Sequence, residues 1–444
     1  MTGDISNFRW VKTNAPPASS RTDDIWFLDE NVGWAVNSNG RVLKAEDGFQ
    51  SFVEQAKLGN YLRCVAFASA DVGWVGTLDL EKENERLYHT TDGGANWNRV
   101  ENLPQGAPER ICGLSVVDEN TVFASGTNNP DEPSAVVKTA DGGETWTAID
   151  LGTEAAILVD IHFRDRNEGW VVGGADVVKH PGRDPVRDDV IPVVLHTTDG
   201  GETWEDVVAP IRQQFPRGEW GWKIQVLDEK TMFVALENDR DGAILRSDDG
   251  GKTWRRLPIN DRQRNANLEG IGFLDGVRGW VGGWGDITFG ESGVGTTSAT
   301  SDGGLNWDNA NEDGLFRINR FRFIGNPVRV GYACGDTVYK FTDQAPAPEL
   351  RALVPETNAT ILEGRASVTI PFEVPEHTRE LQIDVWERFG RHLRRLLDER
   401  PAEAGVRSIV WDFTDSTGEI APVGGYIVRI TADDESVSII VYRR

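Results

Sequence analysis

One eight-residue refrain, Ser/Thr-x-Asp-Gly-Gly-x-Thr/Asn-Trp, occurs five times in the chain, at 90–97, 139–146, 197–204, 247–254 and 300–307. A degenerate sixth copy at 45–52 keeps Asp47, Gly48 and Ser51. Self-similarity at a period of about 50 residues marks a repeat fold, and units of four short strands predict a propeller. Within each copy the Asp and the Gly pair make a hairpin turn, since glycine reaches positive φ without steric cost. The carboxylates of Asp47, Asp92, Asp141, Asp199, Asp249 and Asp302 are therefore read as turn clamps that accept backbone N–H groups, not as catalytic or metal-binding groups. Trp97, Trp146, Trp204, Trp254 and Trp307 are expected to bury their rings between neighbouring sheets.

A second refrain precedes each box: an apolar-x-apolar strand, a turn, then a Gly-aromatic pair or its equivalent. Its copies start at Ile25, Val65, Leu114, Ile161, Ile224, Ile271 and Phe321. Period-two alternation is the signature of a half-buried strand. Seven such strands stand against six boxes. The segment 338–343 aligns with 87–92 and then the repeat stops, while 10–17 resembles the stretch that follows a box, 97–104. The N-terminal strand is thus expected to complete the last blade and close a seven-bladed ring, removing an exposed sheet edge. The fold class expected is all-β. It comprises a seven-bladed propeller over 1–343, a proline-containing linker over 344–349 and a β-sandwich over 350–444, the last read from short strands at 367–374, 381–386, 408–411, 426–430 and 436–442.

Lys plus Arg number 46 against 71 Asp plus Glu, a formal charge of −25. That balance argues against nucleic acid or an anionic bilayer as general partners, because basic residues drive both associations. No apolar run approaches the roughly 18 residues of a membrane helix, so no membrane insertion is expected. Cys64, Cys112 and Cys334 are too scattered for a zinc or disulfide framework and are expected to be buried thiols. No metal and no cofactor is expected. The N-terminus has neither a charged nor an apolar signal region, so the chain as written reads as cytoplasmic, or as exported if its start was trimmed.

The boxes and their rhythm resemble the Asp-box, or BNR-repeat, superfamily, which includes sialidases, sortilin-type receptors and some glycoside hydrolases. Over 10–343 the pattern is most similar to the photosystem II stability and assembly factor family, which implies a seven-bladed, non-enzymatic scaffold. Residues Phe389-Gly-Arg391, Gly405, Val410-Trp-Asp412, Thr417-Gly418 and Pro422-x-Gly-Gly-Tyr426 resemble the Ig-like domain of flagellar hook-capping proteins and, in part, type IX secretion sorting domains. The first resemblance implies a docking module and the second an address label. A sialidase site is disfavoured. Its arginine-bearing N-terminal strand is missing, 215–218 being only a scrambled echo of it, and the chain has six tyrosines.

Function in such a ring is expected on the face carrying the loops between blades and between the two middle strands. Three of these loops are long, at 78–85, 173–191 and 283–291. Arg and Trp are the residues most enriched at binding hot spots. Arg183, Arg187, Arg212, Arg217, Trp220, Trp222 and Trp284 are accordingly the candidate contacts. The expected partner is a protein or peptide, with a glycan as the alternative. The expected function is a protein-binding scaffold or assembly factor. Its rivals are a carbohydrate-active enzyme or lectin, and a structural subunit of a larger extracellular or membrane-associated machine.

Overall fold

A computed structural model describes residues 5–78, 85–177, 186–261, 265–285, 297–343, 359–362, 367–375, 378–433 and 435–443. Among them are seven antiparallel four-stranded sheets. The innermost strands are Thr22–Phe27, Leu62–Phe67, Gly113–Val116, Ile157–Phe163, Trp220–Val226, Leu268–Phe273 and Arg320–Ile324, which define blades one to seven. Consecutive inner strands are neighbours, and the first also touches the last. Arg9–Lys12 pairs antiparallel with Val338–Thr342 and supplies the outer strand of blade seven. Trp10 anchors that strand, 5.0 Å from Phe341 and edge-on to Trp280 at 5.8 Å.

The boxes fold as turns closed by their own side chains. In the second, the Thr90 hydroxyl donates to Asp92 Oδ1 at 2.9 Å and accepts the Gly94 N–H at 2.9 Å. The Asn96 N–H and side-chain amide donate to the same carboxylate at 2.8 Å and 2.7 Å. These donors hold the Asp92 carboxyl below the usual carboxylate range, and the equivalent set brings Asp141 down to about 2. Trp146, Trp254 and Trp307 are buried, whereas Trp97 and Trp204 are half-buried. The indoles of Trp204, Trp254 and Trp307 also donate back to a glycine carbonyl of their own turn.

The second refrain has a steric cause. A Cβ on Gly73 or Gly279 would lie 2.5 Å or 2.6 Å from the ring of Phe67 or Phe273, the residue directly opposite. In blades three and five the opposite residues are Val116 and Val226, and the glycine gives way to Val122 and Met232. The aromatic that follows stacks on the inner-strand Phe of the next blade. Trp34 meets Phe67 at 3.6 Å, Phe123 meets Phe163 at 3.5 Å and Phe233 meets Phe273 at 3.7 Å. Where the next blade offers only a valine, Trp74 and Trp170 instead stack on His89 and His196 of their own sheets, at 4.5 Å and 4.7 Å. Those two histidines are packing residues.

Beyond the ring, a five-stranded sheet runs in the order Ala359–Leu362, Glu435–Arg443, Gly424–Ala432, Leu381–Glu387, His392–Glu399. It shares a core with a two-stranded sheet of Val368–Val374 and Gly405–Trp411, through Ile370, Phe372, Val385, Trp411 and Val428. The expected linker at 344–349 lies outside the described residues. The strand His392–Glu399 is missed by pattern because it is an edge strand, with Arg394 and Arg395 paired to Asp412 and Asp384.

Truncating Trp10 to Ala should cost about 3–5 kcal/mol by opening a cavity at the ring seam. Urea unfolding of the two proteins checks this, and a loss well under about 1 kcal/mol would mean that the strand does not hold the ring.

Candidate functional site

Each inner strand begins close to the axis, and in five blades its first residues carry a register irregularity. A bulge of this kind re-aims side chains, here placing charged groups near the centre of the ring. Two connected networks fill the space. Arg63 binds Asp23 at 2.6 Å, Arg21 binds it at 3.0 Å, and the Asn319 amide donates to it at 3.1 Å. Arg21 also grips Glu269, and Trp222 donates to Asn319 at 3.0 Å beneath the Arg63 guanidinium. In the second network Arg320 binds Asp24 at 2.9 Å and takes Asp160 bidentately at 2.9 Å and 3.0 Å, joining blades one, four and seven. Burial alone would raise the Asp160 pKa, but Arg320 and Lys223 overcome it and hold the carboxyl at about 2. Cys64, Cys112 and Cys334 are buried free thiols, and burial pushes all three upward.

The C-terminal sheets sit on the face that carries the inter-blade and mid-blade loops. Ile427, Ile440 and Trp386 of the five-stranded sheet pack on Trp284 and Phe316 of the ring. Arg429 binds Asp336 at 2.8 Å, alongside Arg317 at 2.5 Å and the Ser438 hydroxyl at 3.1 Å. The turn at 387–391 enters the mouth of the ring, where Arg388 reaches Glu237 at 2.6 Å. Ser20 donates its hydroxyl to the Arg388 carbonyl.

This placement corrects the candidate contacts. Trp220, Trp222 and Trp284 are 5 %, 2 % and 1 % exposed, so none presents its ring to a partner. Trp220 lies under the Arg187 guanidinium at 5.4 Å, Trp222 turns into the axial network, and Trp284 is roofed by the C-terminal sheet. Arg187 itself is half-buried and donates to the Asn128 carbonyl at 2.7 Å. Arg212 and Arg217 remain exposed, beside Asp206 at 2.7 Å and Asp189 respectively. Next to them opens a cavity of about 440 Å³, lined by Gln213, Gln214, Phe215, Arg240 and Arg256 among others. Arg183, with the rest of 178–185, and most of the loops 78–85 and 283–291 lie outside the described residues. The axial charges escaped the sequence reading, although the signal was present: charged or polar residues recur in the two positions before the apolar-x-apolar motif, at Asp23-Asp24, Arg63, Asp160, Lys223, Glu269 and Asn319-Arg320.

Comparison with known proteins agrees with the propeller fold. A family model described as photosynthesis system II assembly factor YCF48 matches residues 4–150, and a BNR/Asp-box repeat model matches 245–256. The ring is similar to the Ycf48 and Asp-box propellers. The photosystem II assembly lipoprotein Ycf48 of Synechococcus sp. (strain CC9902) is 25% identical over 305 residues, covering 58% of this chain and 84% of that protein. The structure of YCF48 from Cyanidioschyzon merolae overlays with a TM-score of 0.53 at 18% identity, over 76% of this chain and 100% of that one. A YCF48 bound to D1 peptide overlays at 0.51 and 17% identity, over 77% of this chain and 98% of that one. The GH74 enzyme of Niastella koreensis gives 0.53 at 11% identity, over 98% of this chain and 74% of that one, a likeness of fold.

The Asp-box ring carries a pH signature in Lys223. Burial, followed by repulsion from Arg320, lowers its pKa to about 8, with Asp160 4.0 Å away. Between there and the ordinary lysine value near 10.4, the unfolded chain keeps a proton that the folded chain has released. Stability therefore gains about 3 kcal/mol from this group as pH rises through that window. Lys223→Met should abolish that gain. Urea midpoints of wild type and variant across the window check it, and equal slopes would contradict it.

Proposed function

We propose that the chain is a non-enzymatic, protein-binding assembly factor that holds its partner on the loop-bearing face of the ring. The observation that carries this is the fate of the axial carboxylates. In a ring enzyme the axis is where acids converge on a substrate, but here Asp23, Asp24, Asp160 and Glu269 are each buried and committed to arginines. The Ycf48-like character of the ring supports the same role, since those relatives are described as assembly factors and one is described as bound to a peptide.

Among the described residues, the arc around Arg212, Arg217 and the neighbouring cavity offers exposed guanidiniums, and it suits an acidic protein segment or peptide. The C-terminal sheets serve as a docking module, in keeping with their packing on the chain's own ring. Affinity capture from the native organism, with quantitative mass spectrometry, tests this. Arg212→Glu/Arg217→Glu should reduce recovery of a stoichiometric partner by on the order of tenfold, about 1.4 kcal/mol. Unchanged recovery would move the site elsewhere, and hydrolysis of a glycan by the wild type would replace the scaffold with an enzyme.

A further inference from the structure

The ring mouth holds two buried carboxylates, one of which the ring itself leaves to the C-terminal module. Glu237, at the end of the second strand of blade five, is 1 % exposed, and Glu269, at the bulge of blade six, is fully buried. Glu269 is already satisfied by Arg21 from within the ring. Among the described residues Glu237 has one ion-pair partner, Arg388, which comes from the C-terminal module, and its Oε2 accepts no hydrogen bond. Arg388 also lies 3.7 Å from Glu269, with its guanidinium 5.0 Å from the centre of the Trp284 ring. Two carboxylates beside an indole face form a site for a flat, delocalised cation, combining charge-assisted hydrogen bonds with cation–π attraction. A compact ammonium would use the second contact less well.

The occupant enters on a turn shaped for insertion. The Gly390 N–H donates to the Glu387 carbonyl at 2.9 Å, and Gly390 adopts φ 86°. A Cβ there would lie 2.9 Å from the Ser19 hydroxyl oxygen and 3.2 Å from the Ser38 Cβ, so glycine is what lets the turn come this close. Removing Arg388 without a replacement would strand the buried Glu237 charge, which is strongly unfavourable. A cation in the mouth therefore stabilises it.

We propose that the mouth is a guanidinium socket for an arginine-bearing segment of a partner protein, with Arg388 as the chain's own occupant, displaced when the C-terminal module lifts. A tethered arginine acts at an effective concentration on the order of millimolar, so a free arginine does not compete with it. A partner segment competes by adding contacts on the apolar patch of Trp284 and Phe316 that the module vacates. The socket stands whether or not the arc at Arg212 and Arg217 holds a partner.

The test uses three full-length proteins and a fluorescein-labelled peptide of residues 384–394. In Ile427→Asp/Ile440→Asp the apolar contact between module and ring is broken. That protein should bind the peptide on the order of tenfold or more tighter than wild type. Adding Glu237→Gln/Glu269→Gln should return affinity to the wild-type level, and a peptide carrying Arg388→Ala should not bind the opened protein. Equal affinity for opened and wild-type protein would overturn the proposal, as would binding indifferent to the glutamates.

Should the opened variant fail to fold, Arg388→Ala provides an independent arm. Millimolar methylguanidinium should raise its melting temperature while leaving wild type and Arg388→Ala/Glu237→Gln unchanged. No rise in Arg388→Ala, or the same rise in all three, would overturn the socket.

Discussion

The bidentate grip of Arg320 on Asp160, with Asp24 at its third nitrogen, is the interaction on which the rest of the ring depends. Where the inner strands converge, the centre of the ring is occupied by buried charged side chains. The chain fills that space with charges taken alternately from different blades. Asp23, Asp24, Asp160 and Glu269 each meet an arginine from another blade, so desolvation is offset by short, directed ion pairs. The cost of breaking one partner is high, and the blades are thereby fixed in angle relative to one another.

That solution uses up the axis and pushes recognition to the rim and the mouth. Stacked aromatics and box turns hold the blades to each other at mid-radius and on the opposite face, where they have no access to the loop-bearing side. The C-terminal sheets complete the arrangement by burying the second face of a five-stranded sheet on the ring. Arg388 and Arg429 extend the axial pattern across this junction, each from the module to a ring carboxylate. The module and the ring are held together by the same kind of ion pair that holds the blades.

Much of this is written plainly in the chain. The boxes and the Phe-to-Gly pairing reveal the blades because turn chemistry and cross-strand volume act over a few residues. The split last blade is legible for the same reason, since Trp10 repeats the context of Trp97. The fate of Trp220, Trp222 and Trp284 was not legible, because their burial depends on the bulges and on a module more than a hundred residues away. One cue did point there. Tyr426-Ile-Val-Arg-Ile430 and Ser438-Ile-Ile-Val441 run apolar without alternation, the pattern of a sheet covered on both faces, and Ile427 and Ile440 are the residues facing the ring.

The most direct measurement is small-angle X-ray scattering of the full chain beside Arg388→Glu/Arg429→Glu. A docked module gives the wild type a single-peaked distance distribution and a radius of gyration near the compact-chain value of about 22 Å. Reversing both arginines should split the distribution into two lobes. A wild type already two-lobed, or a variant indistinguishable from it, would contradict a module keyed to the ring by its arginines.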